Sequence, residues 1–563
     1  MSDSEFLSKA KLQIESVRGH SLSSDERRQA AITLAAFLMQ EAKKNQTPDE
    51  IAQLTLLQKM MESKDGKTFA TAIVDQCLRP KNPRRAADQL IFLIRKYGVP
   101  EYLPSLQRFL MRAAKIFGRW LPSITISEAN KAIRQQTIHV ILPAEPKSLK
   151  SHYDRRHSQG IKLNLNYLGE AILGEEEARE RFELYTNYLK EPFIDYISIK
   201  ISTLYSQINL YAEDETLAIL ADRFRALLTT AKEEGNKFIN LDMEEYRDLH
   251  LTIKLFKSVL SEESFMGMSA GIVLQAYLPD TFNILKELTN WAMDRVKRGG
   301  NSIKIRVVKG ANRSMEMVEA SLKNWPLPTY DTKTSTDANF KRMISFALNP
   351  EHVKAVRIGI GSHNIFDIAY AILLSAENNV DEGVDFEMLE GMAPSLTRAI
   401  KQLTGRALLY CPVTTAKDFH FAVAYLMRRL DENTSRNNFL RNFFGLVPGQ
   451  KEWQNQATLF SMGCEEIELA SDEPRKQQDR RIAPKDIPEY SSFENEPDTD
   501  FSLAHNIEWG VSIRNSWIKK TFIPIPKILA GIKQEIEKEE KSVKALLSLC
   551  DLRVFHLTHS TMS

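Results

Sequence analysis

The chain has few of the features that would mark a small, extracellular or fibrous protein. Four cysteines in 563 residues, Cys77, Cys411, Cys464 and Cys550, stand far apart and form no CxxC or Cys/His cluster, so the spacing suggests neither a disulfide scaffold nor a metal site. Glycine and proline number 23 and 22, too few for a collagenous or low-complexity chain. The net formal charge is only +2, which by itself draws in neither nucleic acid nor an anionic membrane. The longest apolar run, Ile368–Ala376, is too short to span a bilayer. The start, MSDSEFLSKAKLQIE, carries charges where a signal peptide needs an apolar core. A basic DNA-binding arm is also unsupported, because Asp3, Glu5 and Glu15 offset Lys9, Lys11 and Arg18. These absences leave a reducing, cytoplasmic protein that touches a membrane at most peripherally.

What remains is enough chain for roughly two to four domains, or for one large barrel with additions. Ser23-x-x-Glu26 spells a capping box, and Ala30, Leu34, Phe37 and Leu38 follow at helical spacing, so a helix is expected from Ser24. Helical patterns continue to about Arg134 without strand alternation, which reads as a helical arm, residues 1–145, packing on the next domain.

From about residue 160 short alternating segments are separated by long helical ones. Strands are expected at 161–167, 196–202, 238–242, 271–276, 303–308, 356–360, 384–388 and 407–411. Eight βα units over this length fit a closed (β/α)8 barrel within 146–465, with an open doubly wound sheet as the alternative. Residues 471–500 are dense in charge and proline and poor in apolar side chains, so 466–504 reads as a linker unable to bury enough surface to order itself. Ile525–Leu549 reads as helical, and 505–563 is too short for a second large catalytic domain.

Barrel active sites gather where the strands end, and the polar parity of each strand faces inward. That parity collects Ser198, Lys200, Ser202, Asn240, Asp242, Gln275, Arg306, Glu387 and Tyr410 at one mouth. A buried ring of charges must be mutually compensated, which suits a charged ligand. After the eighth strand comes FAVAYLMRRLDE, in which Glu432 lies i+4 from Arg428 and i+3 from Arg429, so it can orient two guanidinium forks toward a carboxylate. A helix starting near Lys417 and lying beside the barrel would leave Arg428 about 16 Å along its axis and short of the mouth. The pair serves the ring only if this helix sits over the top. Neither Gly359-Ile-Gly361 nor Gly66-Lys67-Thr68 completes a phosphate-binding fingerprint. Val307-Val308-Lys309-Gly310-Ala311 and Gly361-Ser362-His363-Asn364 remain as strand-end turns that suit either an anion or a plain reversal.

IRVVKGA (305–311), FEMLEGM (386–392), LLYCPV (408–413) and YLMRRLDEN (425–433), in this order, resemble the proline dehydrogenase part of the bifunctional proline utilisation proteins. SIKIS at Lys200, NLD at Asp242, LQAY at Gln275, TKTSTD at Asp337 and GSHN at His363 match as well. The resemblance covers roughly residues 30–460. It implies a distorted (β/α)8 TIM barrel whose last helix sits above the mouth. The implied activity is FAD-dependent oxidation of L-proline to Δ1-pyrroline-5-carboxylate, with electrons passed to a membrane quinone and peripheral contact at the inner membrane. It further implies that Arg428, Arg429 and Lys200 bind the carboxylate, that Tyr410, Leu389 and Ala311 wall the ring, and that Asp242 and Glu432 hold the charged groups. Arg306 would approach the flavin N5 region, and Gln275, Val308, Lys309, Gly310, Lys333, Thr336, Ser362, His363 and Asn364 would hold the rest of FAD. No metal is implied. The sequence departs from the pattern at Asn312, where many members have tyrosine, and in a longer Tyr410–Arg428 segment. FENEPDTDFSLAHNIEWG (493–510) resembles the start of the aldehyde dehydrogenase half, which does not follow, so a one-step enzyme is expected. The rivals are a barrel lyase or aldolase with Lys200 as Schiff base, and a ligand-binding remnant without turnover.

Overall fold

The computed structural model describes residues 4–521 apart from 64, 79, 81, 170–171, 173, 423–424, 430–437, 444 and 483–495. Glu432, the helix expected at Ile525–Leu549 and the end of the tail lie outside the described residues. Residues 1–477 with 490–502 form one compact unit, and 478–489 with 503–563 form a second whose described part is chiefly the helix Ala504–Thr521.

Eight parallel strands close on themselves: β1 (Lys162–Tyr167), β2 (Tyr196–Ile199), β3 (Phe238–Leu241), β4 (Gly271–Gln275), β5 (Ile303–Val308), β6 (Val356–Gly361), β7 (Val384–Leu389) and β8 (Leu408–Thr414). Closure runs through β8, which pairs with β1 from Lys162↔Leu408 to Tyr167↔Val413 and with β7 at Leu389↔Tyr410. A two-residue strand, Leu142–Pro143, flanks β8 from outside the ring. The expected closed barrel is therefore present, and the open sheet is not.

The alternation of the strands explains the layering. Ile197, Ile199, Ile239, Leu241, Ile272, Ile305, Val307 and Ile358 are almost wholly buried on one parity, among the helices. The other parity fills the lumen with polar side chains, among them Asn164, Ser198, Asn240, Lys304, Arg306 and Glu387, all buried. Most barrels fill that space with branched apolar residues, so this interior stays stable only if its charges compensate one another. Room for the long side chains comes from Gly359, where a Cβ would stand 2.2 Å from Glu387 Oε1.

Strand β2 stops at Ile199 instead of continuing to Ser202. The Thr203 amide donates to the Lys200 carbonyl at 3.0 Å, and a single helical turn, Ile201–Leu204, begins there. This moves Lys200 and Ser202 from the lumen wall to the rim.

In the arm, the helix Ser24–Lys44 begins with the full capping box, Ser23 and Glu26 satisfying each other's amides, worth about 1 kcal/mol. Its buried face, including Leu34, Leu38 and Met39, joins the barrel core. Arg27 pairs with the buried Glu377 at 2.7 Å, and Arg398 with Glu50 at 2.7 Å, so ion pairs also join arm to barrel. Described residues at the two ends of the charge-rich stretch are packed. Lys476 and Asp500 are buried together at 3.0 Å, and the Lys476 ammonium stands 4.0 Å from the centre of the Trp325 ring. Hydropathy misses this because each charge is buried with its own partner.

Candidate active site

The lumen contains a continuous ionic network. Lys304 Nζ lies 2.8 Å from Asp385 Oδ2 and 2.7 Å from Glu387 Oε1. Arg306 donates from Nε to Glu387 Oε2 at 2.5 Å and from Nη1 to Asp242 Oδ1 at 2.9 Å, with its guanidinium 5.4 Å from the centre of the Tyr410 ring. The Tyr410 hydroxyl and the Asn240 amide donate to the two Asp242 oxygens at 2.8 and 2.9 Å. Burial opposes the Arg306 charge, but Glu387, Tyr196 and Asp242 more than restore it, so its pKa lies well above the ordinary value. Burial opposes the Glu387 charge as well, and Arg306 and Lys304 hold that carboxyl below its usual range. Burial, then the Asp242 carboxylate, keeps the Tyr410 phenol protonated as a donor. Sequence parity identified Asp242, Arg306, Glu387 and Tyr410. Lys304 and Asp385, each two residues before a recognised member on the same strand, were legible by the same rule and were missed.

A second cluster stands at the rim. Lys200 Nζ lies 2.5 Å from Glu244 Oε1, and Ser202 donates to Glu244 Oε2 at 2.5 Å. Burial works against the Glu244 charge, yet Lys200, Ser202 and the field of Arg428 hold the carboxyl below its ordinary value. Glu244 is the principal residue that the sequence reading overlooked. It follows Asp242 by two residues, and its carbonyl accepts from Gln275 Nε2 at 3.1 Å.

The segment after β8 is not one helix from Lys417. A 3-10 turn, Phe419–Phe421, precedes it, and Phe419, Ala422, Tyr425 and Leu426 pack on Leu168, just past the end of β1. That places the segment at the C-terminal mouth, as the arginine geometry required. The Arg428 charge acts on Glu244, and the Arg429 charge acts on His363 at the end of β6. Burial, then Arg429, pushes the His363 imidazole down to about 3. The Leu389 amide donates to its Nε2 at 3.1 Å, which requires that nitrogen to be unprotonated. Leu389 in turn stands in register with Tyr410.

The residues expected around a flavin fall into two groups. Gly310 has φ +117°, and a Cβ there would lie 2.6 Å from the Tyr277 ring, so the turn after β5 needs glycine to pass that close. Ala311 follows it, exposed, and Val308 stands in register with both Gln275 and Gly361. Gln275 Oε1 is buried and makes no hydrogen bond among the described residues. With His363 and Arg306 these positions fit a planar heterocycle that offers donors and acceptors. The other side chains are engaged locally. Lys309 Nζ is 2.6 Å from both Asp337 Oδ1 and Asp367 Oδ2, so its ammonium is engaged away from the mouth's ligands. Lys333 pairs with Asp337, Thr336 bonds back to the Thr332 carbonyl, Ser362 accepts from the Asn364 amide, and Asn364 caps the helix Ile365–Glu377.

One cluster on the outside of β8 was not anticipated. His152, Glu390 and Cys411 lie within 4.8 Å of one another, all buried. The Arg156 guanidinium already occupies Glu390, and burial raises the Cys411 thiol far above its ordinary pKa, so the group is an ion-paired staple between the helix Pro146–Ser158 and the barrel.

A family model described as proline dehydrogenase matches residues 149–442, which include every strand of the barrel and both arginines. The chain belongs to the proline dehydrogenase family. Proline dehydrogenase of Deinococcus radiodurans is 27% identical over 285 residues, 49% of this chain and 79% of that protein. The bifunctional protein PutA of Rhizobium meliloti is 28% identical over 255 residues, 43% of this chain but 19% of its own length. The structure of proline utilization A from Corynebacterium freiburgense is 40% identical with a TM-score of 0.59, covering 73% of this chain and 39% of that one. That from Bdellovibrio bacteriovorus, inactivated by N-propargylglycine, is 26% identical with a TM-score of 0.69 over 88% of this chain and 49% of its own. The chain thus spans half or less of these PutA relatives, and most of the Deinococcus proline dehydrogenase.

Proposed function

We propose that the chain oxidises L-proline to Δ1-pyrroline-5-carboxylate as a flavoenzyme using FAD, passing the electrons on to a quinone. What supports this reading is that the Arg428 charge acts on Glu244, the partner of Lys200, and the Arg429 charge on His363, above a lumen whose own charges are already matched. The reaction removes a hydride from proline C5 and a proton from its nitrogen. FAD, when bound, supplies the hydride acceptor at N5. The chain's own residues bind and orient. Arg428 and Arg429 hold the proline carboxylate, and Lys200, kept in place by Glu244, joins them. Tyr410, Leu389 and Ala311 wall the ring and exclude water. Asp242 fixes the Tyr410 hydroxyl and the Arg306 guanidinium at once, so wall and cation move together. Gln275, Arg306, the main chain of residues 308–310, and His363 form the cofactor's side of the mouth, with Lys333, Thr336, Ser362 and Asn364 at its edge.

The Schiff-base alternative needs a Lys200 amine free to attack a carbonyl, whereas its Nζ is held 2.5 Å from Glu244 Oε1. A domain order of arm (1–145), barrel (146–465), connecting stretch (466–504) and a short following piece (505–563) accompanies the proposal. Absorption spectra of the purified chain, before and after anaerobic L-proline, test it. Flavin bands that bleach with proline are the expected result, whereas flavin that stays oxidised, or no flavin after added FAD, contradicts the proposal.

A further inference from the structure

Lys476 and Asp500 come from the two ends of the connecting stretch, and their side chains are only 1% and 2% exposed. Other contacts already fasten these ends to the chain that follows β5. The Trp325 indole donates to the Asp498 carbonyl at 2.6 Å, the Asp498 amide donates to the Lys323 carbonyl at 3.1 Å, and Arg475 pairs with Asp331 at 2.7 Å. A buried ammonium is a costly way to add one more fastening, because an apolar side chain of similar volume fills the same space without desolvating a charge. Fastening alone therefore does not account for a cation there. Besides Trp325, Lys476 Nζ faces Tyr246, 5.1 Å from the centre of its ring.

Tyr246 is itself buried and held from three sides. Its amide donates to Glu316 Oε1 at 2.7 Å, its hydroxyl donates to Asp280 Oδ2 at 2.8 Å, and its ring lies under the Lys476 ammonium. It stands two residues after Glu244. Residues 242–245, between β3 and the 3-10 turn Tyr246–Asp248, lie outside any helix or strand, so no regular ladder locates the Glu244 side chain. Its position depends on the flanks of this segment, which are the Asp242 amide on the Ile199 carbonyl at 2.8 Å, Gln275 on the Glu244 carbonyl, and Tyr246.

We propose that Lys476 is a positioning residue for the rim: by covering Tyr246 it fixes the segment 242–246, and with it the Glu244 carboxylate that holds Lys200. The connecting stretch supplies no side chain to the mouth, yet it sets how firmly one of the rim cations is held. The consequence for proline binding rests on the role proposed above for Lys200, whereas the positioning itself does not.

Acetylation of the full chain by acetic anhydride, with the labelling rate of each lysine read by mass spectrometry, tests the positioning without substrate. Lys200 is 20% exposed and Lys304 3%, so Lys304 reports any general loosening of the barrel in the same sample. Lys476→Met should raise the Lys200 rate about fivefold with Lys304 unchanged, and should add nothing in a Glu244→Gln background, where Lys200 is already released. Asp500→Asn, which keeps the cation but removes the charge of its partner, should shift the Lys200 rate the same way by a smaller factor, and it carries the test if the methionine variant does not fold. Equal Lys200 rates in the parent and these variants, a rise shared by Lys304, or a rise that persists undiminished in Glu244→Gln overturns the proposal. In turnover, Lys476→Met should raise KM for proline about threefold to tenfold and change kcat by less than about twofold. A raised labelling rate with an unchanged KM supports the positioning and counts against the role of Lys200 in binding proline.

Discussion

Lumen and rim use the same residue types for opposite purposes. In the lumen Lys304 and Arg306 share Asp385, Glu387 and Asp242 at 2.5–2.9 Å, within a space that water barely reaches. At the rim Glu244 holds Lys200 at 2.5 Å, about a quarter of the carboxylate's side chain is still exposed, and Arg428 acts on it through its field. Charges that are buried and matched stabilise the barrel and offer little to a ligand, whereas charges at the rim can exchange partners. Sequence parity finds both groups but does not separate them. The depth of each strand residue does, and depth was set by where β2 ends.

Breaking the lumen should have the largest effect. Glu387→Leu leaves Lys304 and Arg306 short of a carboxylate, and should lower unfolding stability by about 3–5 kcal/mol, read by denaturant titration. Breaking the rim should spare stability and remove binding. Arg428→Ala should reduce kcat/KM for proline roughly hundredfold, about 2–3 kcal/mol, with unfolding changed by less than about 1 kcal/mol. Equal loss of stability in both variants would erase the distinction. Tyr410→Phe removes the hydroxyl that donates to Asp242 and so links wall to lumen. It should cost about 1 kcal/mol of stability and reduce turnover about tenfold, with Asp242 still held by Arg306.

The effect that is smallest at neutral pH, and that grows only in acid, is a pH dependence. His363 is held neutral, with its pKa lowered to about 3. An unfolded histidine titrates near about 6.5, so between these values the unfolded state binds the extra proton. The stabilising contribution is present above pH 6.5 and is lost progressively as pH falls toward 3. Measured against the parent, His363→Asn should flatten the stability profile in that window, and an unchanged slope would show that the imidazole does not titrate differently on folding.

Much of this was legible in the sequence because strand parity is a local property. Ile197/Ile199 against Ser198, and Ile305/Val307 against Arg306, declare their faces without any tertiary knowledge. The capping box at Ser23 is equally local. What was not legible depends on contacts between distant segments. Glu244 looks like one more acid in MEEYRD until Lys200 is brought beside it. Lys309 reads as an anion-binding strand end until Asp337 and Asp367 claim its ammonium. The packing of Lys476 against Asp500 and Trp325 joins residues that are individually unremarkable in a charge-rich stretch.

The most direct test of the central claim compares the anaerobic rates of flavin reduction by L-proline and by L-prolinamide, in the parent and in Arg428→Ala. The account predicts that the parent prefers proline by about a hundredfold or more and that the variant loses most of that preference, because the rim recognises the carboxylate. Equal rates with both substrates in the parent would contradict it.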